Sequence, residues 1–359
     1  MDKVFFTPGP TQLYPEVKTF INQALDDNIL SLNHRSKEFI EIFSSTCDSL
    51  RRLLNIPSDF HIFFLSSATE CMDRIIQNVV DKNSFHFVNG AFAERFYKTA
   101  VELNKNAVKA EVNYGEGFKF DEIKINNDPE LIAFTQNETS TGVALNADDI
   151  YRIKEQFPDS IVAVDIVTSA PFVNLDYIKI DSAFFSVQKG FGMPAGLGVL
   201  IVNDKCIEKA KSLNERNISI GSYHNFLALH ENALKFQNTE TPNVLGIYLL
   251  GKVCDALIGK GIENIRKETE AKSKLIYDFL DEHKKLKPFV KDKTIRSHTI
   301  INIEAGDKQA EIKKQLAGKG ILVGSGYGKF KDTQIRIANF PMHTIDDVRR
   351  IIEVLSDYK

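Results

Sequence analysis

Apolar positions recur along the chain in two rhythms. Over residues 39–54, Phe39, Ile42, Phe43, Leu50, Leu53 and Leu54 fall at the three- and four-residue spacing that lines one face of a helix. Ser36, just before, is a fitting N-cap. Further on, short continuous apolar runs at 61–65, 85–88, 131–134, 161–167, 182–187 and 197–202 alternate with helical stretches. The runs are rich in β-branched and aromatic residues, which predicts the strands of a mostly parallel sheet covered by helices. After about residue 255 the texture changes. A charged helix over 262–287 leads to a strand over 299–303, a helix near 307–318, two short strands and a last helix over 344–358. The expected architecture is α/β, with a large domain over 16–255 and a smaller α+β domain formed by 1–15 and 256–359. No Pro- or Ser-rich linker separates them, so the long helix is expected to join the two.

Composition narrows the function classes. The 359 residues carry 45 basic and 48 acidic side chains, a net charge of -3, without the basic excess of a nucleic-acid binder. No apolar run approaches the roughly 20 residues that span a bilayer, and the first residues lack the apolar core of a signal peptide. A cytoplasmic protein with neither nucleic-acid nor membrane partners is the expectation. The four cysteines lie far apart with no C-x-x-C pair, which predicts reduced thiols. The eight histidines form no metal-ligand spacing, so no metal is expected.

Two residues break the pattern in an informative way. Asp165 interrupts the run 161–167, where a buried carboxylate needs a partner. It is either the cap of the next turn or the counter-ion of a protonated heterocycle. Lys189 follows in Ser186-Val-Gln-Lys-Gly-Phe-Gly-Met-Pro-Ala-Gly196, a glycine-rich turn between two strand runs. An isolated loop lysine is usually solvated, but ligands of a parallel sheet bind outside the carboxyl ends of its strands, where both residues would point. A lysine amine and a strand-end acid are what pyridoxal phosphate requires, the amine for the Schiff base and the acid for the ring nitrogen. A phosphate anchor is available where the run 61–65 enters Ser66-Ser-Ala-Thr-Glu70 and a helix over 71–80, because a helix N-terminus binds anions. Ser67-x-x-Glu70 also reads as an ordinary capping box. Gly324-x-Gly326-x-Gly328 leads to a strand rather than a helix, so the dinucleotide fingerprint lacks its context.

With Thr7-Pro-Gly-Pro10, Asn33-His-Arg-Ser-Lys-Glu-Phe39, Asn137-Glu-Thr139, Asp165, Gln188-Lys189, Pro194-Ala-Gly196 and Arg336-Ile-Ala-Asn339, the chain resembles the class V pyridoxal-phosphate aminotransferases along most of its length. Within that class it is most similar to the phosphoserine aminotransferases. The resemblance implies that Lys189 forms the Schiff base and shuttles the Cα proton, and that Asp165 binds the pyridine nitrogen. It implies Thr139 at the phenolic oxygen, Ala68, Thr69 and Gln188 at the phosphate, and Phe92 stacked on the ring. Arg336 would take the substrate α-carboxylate, and His34 and Arg35 its distal anion. Neither Arg336 nor the His34-Arg35 pair stands out from the residue pattern alone. A homodimer is implied, with active sites at the interface and Thr239 and Thr241 reaching the neighbour's cofactor phosphate. The implied reaction passes an amino group from glutamate to 3-phosphohydroxypyruvate, so amino acids and 2-oxoacids are the expected partners.

Three departures bear on the substrate. Ser67-Ala68-Thr69 lacks the arginine usual in this turn, Phe92 stands in place of the usual tryptophan, and Thr239-Glu-Thr-Pro242 alters the expected Asn-Thr-Pro-Pro piece. They bring the chain nearer to the alanine– or serine–glyoxylate type of the same class. A class V lyase or desulfurase, which needs a reactive cysteine on a mobile loop, is a further alternative, as is a regulator that binds the cofactor without turnover.

Overall fold

The computed structural model describes residues 3–358. Met1, Asp2 and Lys359, assigned above to the small domain, lie outside them. The main sheet has seven strands in the order Phe60–Leu65, Gly198–Asn203, Ser182–Ser186, Ile161–Asp165, Leu131–Thr135, Asn83–Val88 and Asn106–Glu111. Five neighbouring strands are parallel, and Gly198–Asn203 runs antiparallel to both of its neighbours. The fold is the α/β arrangement that the alternation of runs predicts.

Side-chain alternation explains why these runs are apolar throughout. Ile132, Phe134, Val162 and Val164 face one buried cluster, and Leu131, Ala133, Ile161 and Ala163 face another across the sheet. Both faces are covered, so apolar residues dominate the central strands. The edge strand Asn106–Glu111 has no such run, because its side chains are half-exposed or exposed. The apolar-run reading passes over it for that reason. The run 161–167 stops being a strand at Asp165, whose Oδ1 accepts the Val167 N–H at 2.8 Å and turns the backbone.

A second sheet of five strands has the order Val4–Phe6, Ile321–Ser325, Gln334–Ala338, Ile300–Glu304 and Lys287–Pro288. Its first strand, from the start of the chain, pairs in parallel with Ile321–Val323. Helices Ile262–Glu282, Gln309–Gly318 and Ile345–Ser356 pack their apolar residues on it. The long helix ends at Glu282, earlier than 287, where His283 turns to extended backbone and its Nδ1 accepts the Lys285 and Leu286 N–H groups. Ser36 caps Lys37–Leu54 by accepting the Phe39 N–H, and Thr344 forms a full capping box with Asp347.

Candidate active site

The carboxyl ends of the parallel strands gather the site. Asp165 closes Ile161–Asp165 and is 2% exposed. Burial pushes its carboxyl up to about 7, helped by the nearby charge of Glu138 and opposed by the Val167 N–H and by Lys189. Lys189 lies three residues beyond the neighbouring strand Ser182–Ser186. Burial, and after it the Arg336 charge, lower its amine to about 8 against the opposing charge of Asp165. Each group lies in the other's field, yet no ion pair within 4 Å joins them among the described residues. Gly190 allows the lysine turn to press on the turn after Asp165, since a Cβ there would lie 2.0 Å from the Ala170 carbonyl oxygen.

The start of the chain forms the other wall. Lys189 Nζ donates to the Pro8 carbonyl at 2.6 Å. Gly9 follows with φ +136°, and a Cβ on it would meet Lys189 Nζ at 2.2 Å. A left-handed φ and that close approach both require glycine. The Thr7–Pro10 piece, quoted above for resemblance alone, is therefore a contact surface of the lysine.

One short segment ties the two sheets together. Thr139 Oγ1 shares a hydrogen bond with Thr168, and the Thr139 carbonyl accepts from Arg336 Nη1 at 3.2 Å. Arg336 Nε donates to the Ser325 carbonyl at 2.7 Å, and Tyr327 covers the guanidinium with its ring centroid 5.5 Å away. Two carbonyls thus fix the fork, and no carboxylate pairs with it among the described residues. An arginine so held presents charge and donors to an anionic ligand.

Glu138 is the functional residue that sequence reasoning missed, although it sits inside the quoted Asn137-Glu-Thr139. Its carboxylate is fully buried and accepts from the N–H groups of Phe92 and Ala93 and from the Ser140 N–H and hydroxyl. It thereby holds the first turn of helix Ala91–Glu102, and with it Phe92, against Thr139. Burial raises its carboxyl and these hydrogen bonds oppose the rise. Nothing in the local pattern marks a glutamate as buried when its four donors lie partly on another element.

At the start of helix Ala68–Val79, Ser67 accepts the Glu70 N–H, but the Glu70 carboxylate turns back to the Ser66 N–H and hydroxyl instead of completing a capping box at Ser67. The Ala68 N–H donates to Ser186 Oγ at 2.8 Å, which sets this turn against the strand leading to Lys189. The Gln188 amide oxygen is buried without a partner. Partnerless buried polar atoms also occur on Asn89, Thr135 and Gln136, all at or just past carboxyl ends of the parallel strands.

The remaining expected residues form a separate group. Arg35 Nη1 donates to Asn232 and Gln237, and His34 Nδ1 lies 3.4 Å from Thr241 Oγ1. Thr239 donates to Glu240 at 2.6 Å. Among the described residues none of His34, Arg35, Thr239 and Thr241 is hydrogen-bonded to Lys189, Asp165, Thr139 or Arg336.

A model of the family described as aminotransferase class-V matches residues 3–330. The structure is similar to that of a phosphoserine aminotransferase from Cytophaga hutchinsonii, with TM-score 0.97 and 45% identity over 99% of this chain and 98% of that one. A curated phosphoserine aminotransferase of Corynebacterium glutamicum is 26% identical over 351 residues, covering 96% of this chain and 92% of the relative. The aspartate aminotransferase of subgroup IV from Thermus thermophilus shares the fold, with TM-score 0.84 at 21% identity over 99% of both chains.

Proposed function

This chain belongs to the class-V aminotransferase family, and from that premise we propose that it is a pyridoxal-phosphate enzyme exchanging an amino group between phosphoserine and 2-oxoglutarate. The observation that carries the reading is the convergence of Asp165, Lys189 and Arg336 at one end of the parallel sheet. A buried acid, a largely buried amine and a guanidinium with no acidic partner among the described residues form the donor set that pyridoxal phosphate and an amino-acid carboxylate require. The Gln188 amide oxygen beside Lys189 is buried without a partner, and the amide turned over would donate its N–H groups to the phosphate of the same ligand.

Pyridoxal phosphate, when bound, supplies a ring that draws electron density away from the substrate Cα. The rest falls to this chain. Asp165 keeps a proton on the ring nitrogen, and a cation facing it would return its carboxyl toward the ordinary range. Lys189, with its amine lowered to about 8, is partly neutral near neutral pH and can take and return the Cα proton. Arg336 orients the α-carboxylate, Thr139 donates to the phenolic oxygen, and Phe92, held by Glu138, lies against the ring. Ala68, Thr69 and Gln188 receive the phosphate.

The homodimer, the cytoplasmic location and the division into 16–255 against 1–15 with 256–359 belong to the same proposal. The grouping of His34 and Arg35 with the 232–241 segment, with no hydrogen bond to Lys189 among the described residues, supports their serving the site of a second copy. No helix among the described residues is long and apolar enough to cross a membrane. All four cysteines lie buried within helices, and burial raises each thiol, Cys47 to about 12. A desulfurase would lack its nucleophile here.

The test is the visible spectrum of the purified holoenzyme during titration with phosphoserine and, in parallel, with alanine. Loss of the cofactor's visible band with phosphoserine alone is the expected outcome. Loss with alanine alone would assign the chain to the alanine–glyoxylate type, and absence of the band would overturn the cofactor assignment.

A further inference from the structure

Outside the contacts named so far, a closely knit polar cluster centres on His224. Its Nδ1 lies 2.6 Å from Glu70 Oε1 and its Nε2 lies 2.7 Å from Glu240 Oε2, with the imidazole side chain 4% exposed. A carboxylate only accepts, and a neutral imidazole donates from one nitrogen, so two such contacts require the imidazolium. His224 sits at φ +51°, in the left-handed region, in the loop between helices Asp204–Glu215 and Phe226–Ala233. A non-glycine residue holds that conformation when its surroundings fix it. Tyr223 stacks on the ring at 3.9 Å, and Arg74 Nη1 donates to the Tyr223 carbonyl. Among the described residues no trio of His, Cys, Asp or Glu is arranged to hold a metal ion, so the two carboxylates serve the imidazolium itself.

The positions of the two carboxylates give the cluster its meaning. Glu70 stands in the first turn of Ala68–Val79, beside the N–H groups that an incoming phosphate would use. A free carboxylate there would compete for those donors and repel a dianion. Glu240 accepts from Asn238 Nδ2 at 3.2 Å and from Thr239 Oγ1 at 2.6 Å, and Asn238 is anchored to the Phe64 carbonyl at 3.0 Å.

We propose that His224 is a positioning residue for the cofactor phosphate. It holds Glu70 Oε1 while Oε2 stays on the Ser66 N–H and hydroxyl, offsets part of the negative charge beside the helix start, and ties the Thr239 segment to the same loop through Glu240. The proposal rests on the reading of Ser66–Thr69 as the phosphate loop and deepens it.

The groups facing the imidazole are Glu70, Glu240 and Tyr223, with Arg74 behind Tyr223. The hydrogen bonds and charges of the two glutamates raise His224 to about 9 against the opposing effect of burial. Burial and the same two carboxylates hold the Tyr223 hydroxyl above its usual range, so the imidazolium is the group that loses its proton as pH passes 9.

The experiment measures the affinity of the apoprotein for pyridoxal phosphate and for pyridoxal, which lacks the phosphate, by absorbance titration, with folding followed by circular dichroism. For His224→Asn the expected result is a loss of about tenfold or more in pyridoxal phosphate affinity, equivalent to ~1.4 kcal/mol, while pyridoxal binds as before. The double variant Glu70→Gln with His224→Asn regains most of the loss. Wild-type protein needs no substitution: its preference for the phosphorylated ligand falls as pH rises through 9. Equal losses for both ligands, no loss for either, or no rescue by Glu70→Gln would overturn the proposal. If His224→Asn does not fold, a preference that stays flat from pH 7.5 to 10 would overturn it equally. Wild-type protein that binds both ligands with one affinity would instead overturn the phosphate-loop reading beneath it.

Discussion

The residues proposed for the chemistry and those proposed for selecting the substrate occupy two differently built regions of this molecule. Around Lys189 the groups are buried or half-buried and held by backbone carbonyls: Lys189 donates to Pro8, and Arg336 donates to Thr139 and Ser325. Around His34 and Arg35 the side chains are half-buried or exposed and are held by the neutral amides and hydroxyls of one neighbouring segment. The first region is preorganised, which is what stabilising a developing charge demands. The second is less tightly held, which suits the substrate-tail contact proposed for it.

The contrast breaks most severely at Asp165. Asp165→Asn should lower kcat about a thousandfold, because a fixed buried charge at the reacting ring is lost, and single-turnover spectra would read this directly. The same substitution carries a pH signature in the apoprotein. The Asp165 carboxyl rises from 3.8 to about 7 on folding, so its burial costs stability increasingly between those values and fully above 7, and nothing when both states are protonated. The melting temperature of Asp165→Asn should accordingly exceed that of the parent at pH 8 and match it below pH 3.8. A gain of the same size at both pH values would sink the account.

Arg336→Lys comes next. It keeps the charge and loses the fork, so kcat/KM should fall about 10- to 100-fold for every amino acid alike, as losing a charge-assisted hydrogen bond implies. An effect confined to phosphoserine would move Arg336 into the selective region. Arg35→Gln should do the reverse, raising KM about tenfold for phosphoserine while alanine is unaffected. Its stability should stay within about 0.5 kcal/mol, as for most exposed positions. Equal losses for both substrates would erase the distinction between the regions.

Legibility in the sequence followed the same division. The central strands and the Asp165 and Lys189 positions could be read because both faces of the sheet are covered and a lone charge stands out in an apolar run. The edge strand Asn106–Glu111 left no such contrast. His224 and Glu70 are 154 positions apart, and no periodicity records a pair formed only when the chain has folded. Glu138 shows the intermediate case: the residues around it were noted, but its burial depends on donors from Phe92 and Ala93, which precede it by 46 and 45 positions.

The parallel pairing of Val4–Phe6 with Ile321–Val323 has a consequence for biosynthesis. A ribosome releases the first wall of the lysine contact hundreds of residues before the strand that secures it. Closing so long a loop is slow, and contacts of high sequence separation form late in folding. During most of its synthesis the nascent chain holds Pro8 and Gly9 with no strand to fasten them, and Lys189 with no lid. The cofactor therefore meets a finished binding site only after the strand Ile321–Ser325 has emerged, so loading is expected to follow synthesis and not accompany it.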